Sequence, residues 1–115
     1  MDLTYLGHSS FLAISGEVRI LLDPFITPNP LAESVDVEAL SPTHVLLTHG
    51  HEDHVADAEQ VLRQSGAELI APYEVATWFG AKGIDRIRPV NPGAQLSLTC
   101  GASAVQVRVV GAVHS

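Results

Sequence analysis

Thr48-His49-Gly50-His51-Glu52-Asp53-His54 is the stretch that decides how this chain is read. Three of the six histidines and two carboxylates fall within it. Val45-Leu46-Leu47 runs into it, apolar and β-branched at its start, and Val55 to Arg63 leaves it with a helical pattern. The cluster therefore sits where a buried strand ends and a helix begins. α/β folds carry their chemistry there, on open loops held by rigid strands. In extended backbone, residues two apart point the same way, so His49 and His51 present two imidazoles to one ion. Asp53 and His54 follow at the turn and can face a second ion nearby. This donor set suits zinc, and also manganese or iron. Asp53 has an alternative reading as an ordinary carboxylate at a helix N-terminus. A lone histidine is more often a satisfied polar residue than a ligand. Three histidines beside an aspartate, after an apolar strand, reverse that balance.

A chain of 115 residues, 46% hydrophobic and 17% charged, is sized for one domain with one core. No apolar run approaches a membrane span, and Met1-Asp2-Leu3-Thr4 lacks the basic-then-apolar start of a signal peptide. The single cysteine, Cys100, has no internal partner and is read as a small strand or core residue. These features together place the protein in the cytoplasm. Six basic residues against thirteen acidic ones give a formal charge of −7, with no Lys/Arg cluster. A phosphate-backbone binder needs one, so nucleic acid is not an expected partner, and neither is a membrane.

Leu3–Leu6, Phe11–Ile14 and Val18–Leu22 read as three strands joined by short connections, which predicts an antiparallel meander. His8 lies in the first turn and is assigned to it structurally, with a site-lining role as the alternative. Asp23 ends the third strand, either as a support that orients a metal-binding histidine or as a turn former. Prolines at 24, 28 and 30 exclude regular structure from Phe25 to Pro30, and such a stretch often lies over a site as a flap. Ser34 to Leu40 suits a short helical turn. Val45–Thr48 is the strand that feeds the cluster, with His44 exposed at its start. Val55, Ala58, Val61 and Leu62 define the buried stripe of one helix from Asp53 to Gln64. Glu68–Ile70 is the next strand, in a parallel crossover. Pro72–Phe79 is a second helix, with Trp78 and Phe79 assigned to the core and a substrate contact as the alternative. Arg86–Val90, Gln95–Leu98 and Val105–Val110 are strands, and Asn91-Pro92-Gly93 suggests that meander pairing returns. His114 follows a strand end, as the first cluster does, and is a candidate third imidazole for the ion of His49 and His51.

His49-x-His51-x-Asp53-His54, after an apolar strand, resembles the signature of the metallo-β-lactamase superfamily. Tyr5-Leu6-Gly7-His8-Ser9-Ser10-Phe11, Leu21-Leu22-Asp23-Pro24-Phe25 and Leu46-Leu47-Thr48-His49-Gly50-His51 are similar to its small metal-dependent hydrolases, the branch that includes the ascorbate-6-phosphate lactonases. The resemblance covers essentially the whole chain. It implies an α/β fold, an αββα sandwich with two metal ions at one edge of its sheets. His49, His51 and His114 would bind the first ion and Asp53 and His54 the second, with Asp23 in support. The nucleophile implied is a hydroxide bridging the ions and oriented by Asp53, acting on an ester, lactone or phosphodiester bond of a small molecule.

The same pattern requires, beyond its third histidine, an aspartate that bridges both ions and a final histidine on the second. Neither occurs in these 115 residues, where only Ser115 follows His114. The chain, taken as one domain over 1–115, is therefore expected to supply about the N-terminal half of the sandwich. Three readings follow. It is the first portion of a hydrolase whose C-terminal half lies elsewhere; or a half-fold that pairs with itself as a homo-oligomer; or a non-catalytic metal-binding module that needs a second chain to complete its site.

Overall fold

The computed structural model describes residues 1–112, so His114 lies outside the described residues. The chain opens as the expected meander. β1 (Asp2–Gly7), β2 (Ser10–Ser15) and β3 (Val18–Leu22) pair antiparallel, with Tyr5 opposite Phe11 and Phe11 opposite Leu22. The direction then changes. β4 (His44–Leu46) lies parallel to β3, β5 (Glu68–Pro72) parallel to β4, and β6 (Ile87–Val90) parallel to β5. The result is a six-stranded sheet in the order β1-β2-β3-β4-β5-β6. Parallel neighbours need crossovers. The long loop over residues 23–43, with short helical turns at Pro30–Ala32 and Val37–Ala39, makes the crossover from β3 to β4; helices α1 (Glu52–Val55) and α2 (Ala58–Ser65) make that from β4 to β5, and α3 (Tyr73–Ala81) that from β5 to β6.

Side chains alternate across each strand, so the sheet has two apolar faces. Leu21, Val45, Leu69 and Ala71 on one face pack with Val61, Leu62, Ala76 and Phe79 of the helices. Each large side chain fully buried there contributes about 1.5–3 kcal/mol. Val18, Ile20 and Ile70 on the other face meet Leu98 and, more peripherally, Leu96, Val105 and Val107. These last residues belong to a separate hairpin, β7 (Gln95–Cys100) with β8 (Ser103–Arg108). Helices, a large sheet and the start of a second sheet are thus stacked in that order.

The structure corrects several expectations. The helix over Asp53–Gln64 is interrupted between α1 and α2. Asp57, at the break, turns its buried carboxylate to the loop after β3. It accepts from the Ile26 and Thr27 amides at 2.6 and 2.9 Å and from the Thr27 hydroxyl at 2.6 Å. Buried amides must find acceptors, and here that demand overrides helix continuity. The same contacts correct the flap: Ile26 and Asn29 are buried, so the stretch is anchored to the body. Antiparallel pairing returns in the β7–β8 hairpin but not across the turn between β6 and β7. The Asn91-Pro92-Gly93 turn instead carries the chain to the second sheet, where β7 pairs with β8. Pro89 has no N–H to donate, which suits β6 as the last strand of its sheet. Phe79 is buried but Trp78 is 55% exposed, on the far side of α3, with Lys82 Nζ 4.4 Å from its ring centre.

His44 is buried, not exposed, because β4 is flanked by β3 and β5 and covered on both faces. Its Nδ1 lies 2.8 Å from the Thr43 hydroxyl and its Nε2 lies 3.7 Å from Glu68. Burial lowers its pKa below the ordinary 6.5, with Glu68 opposing and Arg88 and Arg86 adding to the shift.

This packing can be tested at two residues. Asp57→Ala leaves the buried Ile26 amide, and the Thr27 amide and hydroxyl beside it, without an acceptor and should cost roughly 3 kcal/mol in urea unfolding; a loss near zero would contradict the anchoring role. For His44 the unfolded chain takes up a proton first as pH falls through 6.5, so stability drops from there toward the lower folded-state value. Wild type should therefore lose more stability than His44→Asn between about pH 7.5 and about pH 5.5. Equal losses would show that His44 does not carry this dependence.

Candidate metal centre

The cluster is built on one sheet edge. β1 and β3 run the same way because β2 reverses between them, and β4 is parallel to β3. The loops after β1, β3 and β4 therefore emerge together. They carry His8, Asp23 and the segment Thr48–His54 respectively.

Asp23 ties the last two loops. It is 3% exposed and holds φ at +43°, in the left-handed region that aspartate tolerates better than most residues. Its amide donates to Leu46 O at 3.0 Å. Its Oδ1 accepts from the Thr48 amide at 2.8 Å, and its Oδ2 from the Thr48 hydroxyl at 2.7 Å. His54 Nδ1 lies 2.9 Å from the same Oδ2. A carboxylate only accepts, so His54 carries its proton on Nδ1 and keeps a lone pair on Nε2. His49 is set in the same way. Thr48 has spent its hydroxyl proton on Asp23, so it accepts from His49 Nδ1 at 2.9 Å, and His49 too keeps its lone pair on Nε2. Fixing a ring by its far nitrogen is how proteins prepare a histidine for a metal.

The rings stand close. His49 is 4.0 Å from His54 and 4.6 Å from His51 between ring centres, and His8 is 5.3 Å from His54. Asp53 Oδ2 lies 2.9 Å from His8 Nε2, while Asp53 Oδ1 lies 3.8 Å from His54 Nε2. The hydrogen bond from His8 holds the Asp53 carboxyl below its usual range, against slight desolvation and with help from His54. Donor atoms of His8, Asp53 and His54 all fall within 4.8 Å of one another. Imidazoles and a carboxylate, converging on one edge with two rings fixed through Nδ1, fit a divalent cation.

The structure thus gathers His49, His51, Asp53 and His54 and places Asp23 beneath them. His8, assigned to its turn from the sequence, belongs to the gathering as well. The signal that could have found it is topological: the first and third strands of a meander end at the same edge. Two open grooves adjoin the histidine loop. One, of about 390 Å³, shares Gly50 and Glu52 with it and is walled by Val75 and Trp78. The other, of about 540 Å³, shares Thr48 and runs between the sheets past Leu46, Ile70 and Val107. A hollow of about 700 Å³ under the Pro28–Pro30 loop shares no residue with the cluster.

A mixed sheet covered by helices on one face and a hairpin on the other, with imidazoles and a carboxylate gathered at its strand-end edge, defines an α/β protein with a candidate metal site at that edge. Residues 3–109 match the metallo-beta-lactamase superfamily, and the chain belongs to it. It is 43% identical over 100 residues to a UPF0173 metal-dependent hydrolase of Rhizobium etli, an alignment covering 85% of this chain and 43% of that one. It is 37% identical over 117 aligned positions to a namesake from Brucella canis, covering 100% of this chain and 48% of the relative. Among solved structures, the metallo hydrolase Igni18 of the archaeon Ignicoccus hospitalis is similar at a TM-score of 0.74 and 32% identity, over 84% of this chain and 42% of that one. The metallo-beta-lactamase SMB-1, at 20% identity and a TM-score of 0.60 over 92% of this chain and 49% of its own, shares the fold. The chain spans about half the length of the curated relatives it matches.

Asp23→Ala removes three acceptor contacts and places alanine at positive φ. It should cost roughly 3–4 kcal/mol in urea unfolding. Asp23→Asn tolerates the backbone and keeps one acceptor oxygen, so its loss should be smaller; equal losses would show that the carboxylate does not hold the two loops together.

Proposed function

We propose that this chain carries the metal-binding portion of a metal-dependent hydrolase acting on an ester, lactone or phosphodiester bond of a small molecule. The observation that supports it most is the pair of hydrogen bonds that His54 Nδ1 donates to Asp23 and His49 Nδ1 donates to Thr48, which leave both imidazoles with lone pairs on Nε2. A protein that used these histidines only as surface polar groups would have no need to set both tautomers. Family membership and the name metal-dependent hydrolase borne by its relatives support the same reading.

In this proposal His49 and His51, with His114, hold one divalent ion, and Asp53 and His54 hold a second. Zinc suits the donors best, with manganese or iron(II) as alternatives. When bound, such a cation lowers the pKa of water toward neutrality and polarises the scissile bond. Asp53 acts twice, binding a cation and accepting a hydrogen bond from the attacking water. Asp23 orients His54 and takes no part in proton transfer. Residues outside this chain, from a further segment or a second copy, complete the site around the second ion. The exposed Trp78 beside Gly50 and Glu52 offers an apolar wall for substrate. No helix among the described residues is long and apolar enough to cross a membrane, and a single half-buried cysteine is at ease in a reducing cytoplasm.

The test is equilibrium metal content together with hydrolysis of p-nitrophenyl acetate, a simple lactone and bis-p-nitrophenyl phosphate. At least one zinc per chain is expected, with turnover of one substrate class, once the self-paired chain or an added completing segment supplies the remaining residues, that EDTA abolishes and zinc restores. Asp53→Ala should lower that turnover by about 100-fold or more. Absence of metal uptake, or turnover indifferent to EDTA, would reject the proposal.

A further inference from the structure

Among the described residues, His8 is the one imidazole of the cluster that comes from outside the loop after β4. It is separated from Asp53 by 45 positions in the sequence, yet its Nε2 stands 2.9 Å from Asp53 Oδ2. The turn that carries it is fixed from several sides. His8 holds φ at +52°, a conformation rare for a residue with a side chain. The Tyr5 hydroxyl donates to its carbonyl at 2.9 Å, and Phe25 packs edge-on against its ring at 5.5 Å. Gly7 before it, at φ +111°, has no room for a side chain, because a Cβ there would meet Asn29 Nδ2 at 2.9 Å. Strained backbone persists only where its surroundings over-determine it.

The two oxygens of Asp53 face different partners. Oδ2 faces His8 Nε2 at hydrogen-bond length; Oδ1 faces His54 Nε2 at 3.8 Å. Two atoms that share one zinc stand about 3.3 Å apart or more, given bonds of about 2.0–2.1 Å. The Oδ1–His54 pair is spaced for a shared ion, and the Oδ2–His8 pair is too close for one. The protons agree. A carboxylate accepts only, so His8 Nε2 carries the hydrogen, and a protonated nitrogen cannot ligate. We propose that His8 is a positioning residue of the metal centre: it donates from Nε2 to Asp53 Oδ2 and so turns Oδ1 toward the ion held with His54. Without it, the half-exposed Asp53 side chain is free to take other rotamers, and the site loses the geometry of one ligand. The arrangement parallels that of Asp23 and His54, with the roles of carboxylate and imidazole exchanged. It rests on the metal-binding reading above.

The test uses the full chain with Co2+ as probe, titrated against a competing chelator, with its visible absorption recorded. Three variants accompany wild type. His8→Gly keeps the left-handed turn and removes the donor. His8→Gln places an amide N–H near the position of Nε2. His54→Ala removes a ligand. His8→Gly is expected to weaken Co2+ binding by about 10–100-fold, the range for lost support of a ligand. His8→Gln is expected to recover most of that loss and to reproduce the wild-type spectrum. His54→Ala should change the spectrum itself. Unchanged affinity in His8→Gly overturns the proposal, and so does a His8→Gln protein as weak as His8→Gly, since the imidazole itself would then be the ligand. Failure of the metal reading is separate: wild type would take up no Co2+ at all, and both would fall together.

Discussion

The site depends on one buried carboxylate. Asp23 sits at the end of β3 with almost no exposure, and its chargeable partner is His54. A buried carboxylate is costly unless its lone pairs are used. Here Thr48 uses two of them and His54 another. The cost of burial is thereby tied to one arrangement of the loop after β4: any that misplaces Thr48 or His54 leaves Asp23 unsatisfied. The orientation of His54 and, through Thr48, of His49 follows from this constraint.

Asp57 has the corresponding role beside the helices. It breaks the helix that would otherwise continue and fastens the loop from Pro24 onward, the loop that also brings Phe25 against His8. Two buried aspartates thus join the loops after β1, β3 and β4 into a single unit. The sheet beneath supplies rigidity, because its central strands are packed on both faces. The clustered side chains of His49, His51, Asp53 and His54 stay more open than the aspartates beneath them, as residues that must meet a ligand do.

Much of this is legible in the sequence. The meander, the parallel crossover, the buried stripe of Val61 and Leu62 and the position of the histidine segment all follow from local periodicity and turn residues. Asp23 can be read as a support because it ends a strand. What is not legible depends on contacts between distant residues. His8 reaches Asp53 only through the sheet order. Asp57 looks like any polar residue on a helix until the amides it serves are seen. His44 looks like a strand-start residue at the surface, and only its place between β3 and β5 buries it. Trp78 and Phe79 are equally apolar, and their opposite fates depend on which side of α3 meets the sheet.

A divalent ion bound at the strand-end edge through imidazole nitrogen and carboxylate oxygen is the proposal on which the others rest. X-ray absorption at the zinc edge, on the full chain loaded with zinc, reads those ligand atoms themselves. A shell of nitrogen and oxygen only is expected, with the outer-shell scattering of at least two imidazoles, reduced when His49 and His51 are replaced by alanine. A shell of water oxygens without imidazole scattering, or one containing sulfur from Cys100, would show that the ion is not held there.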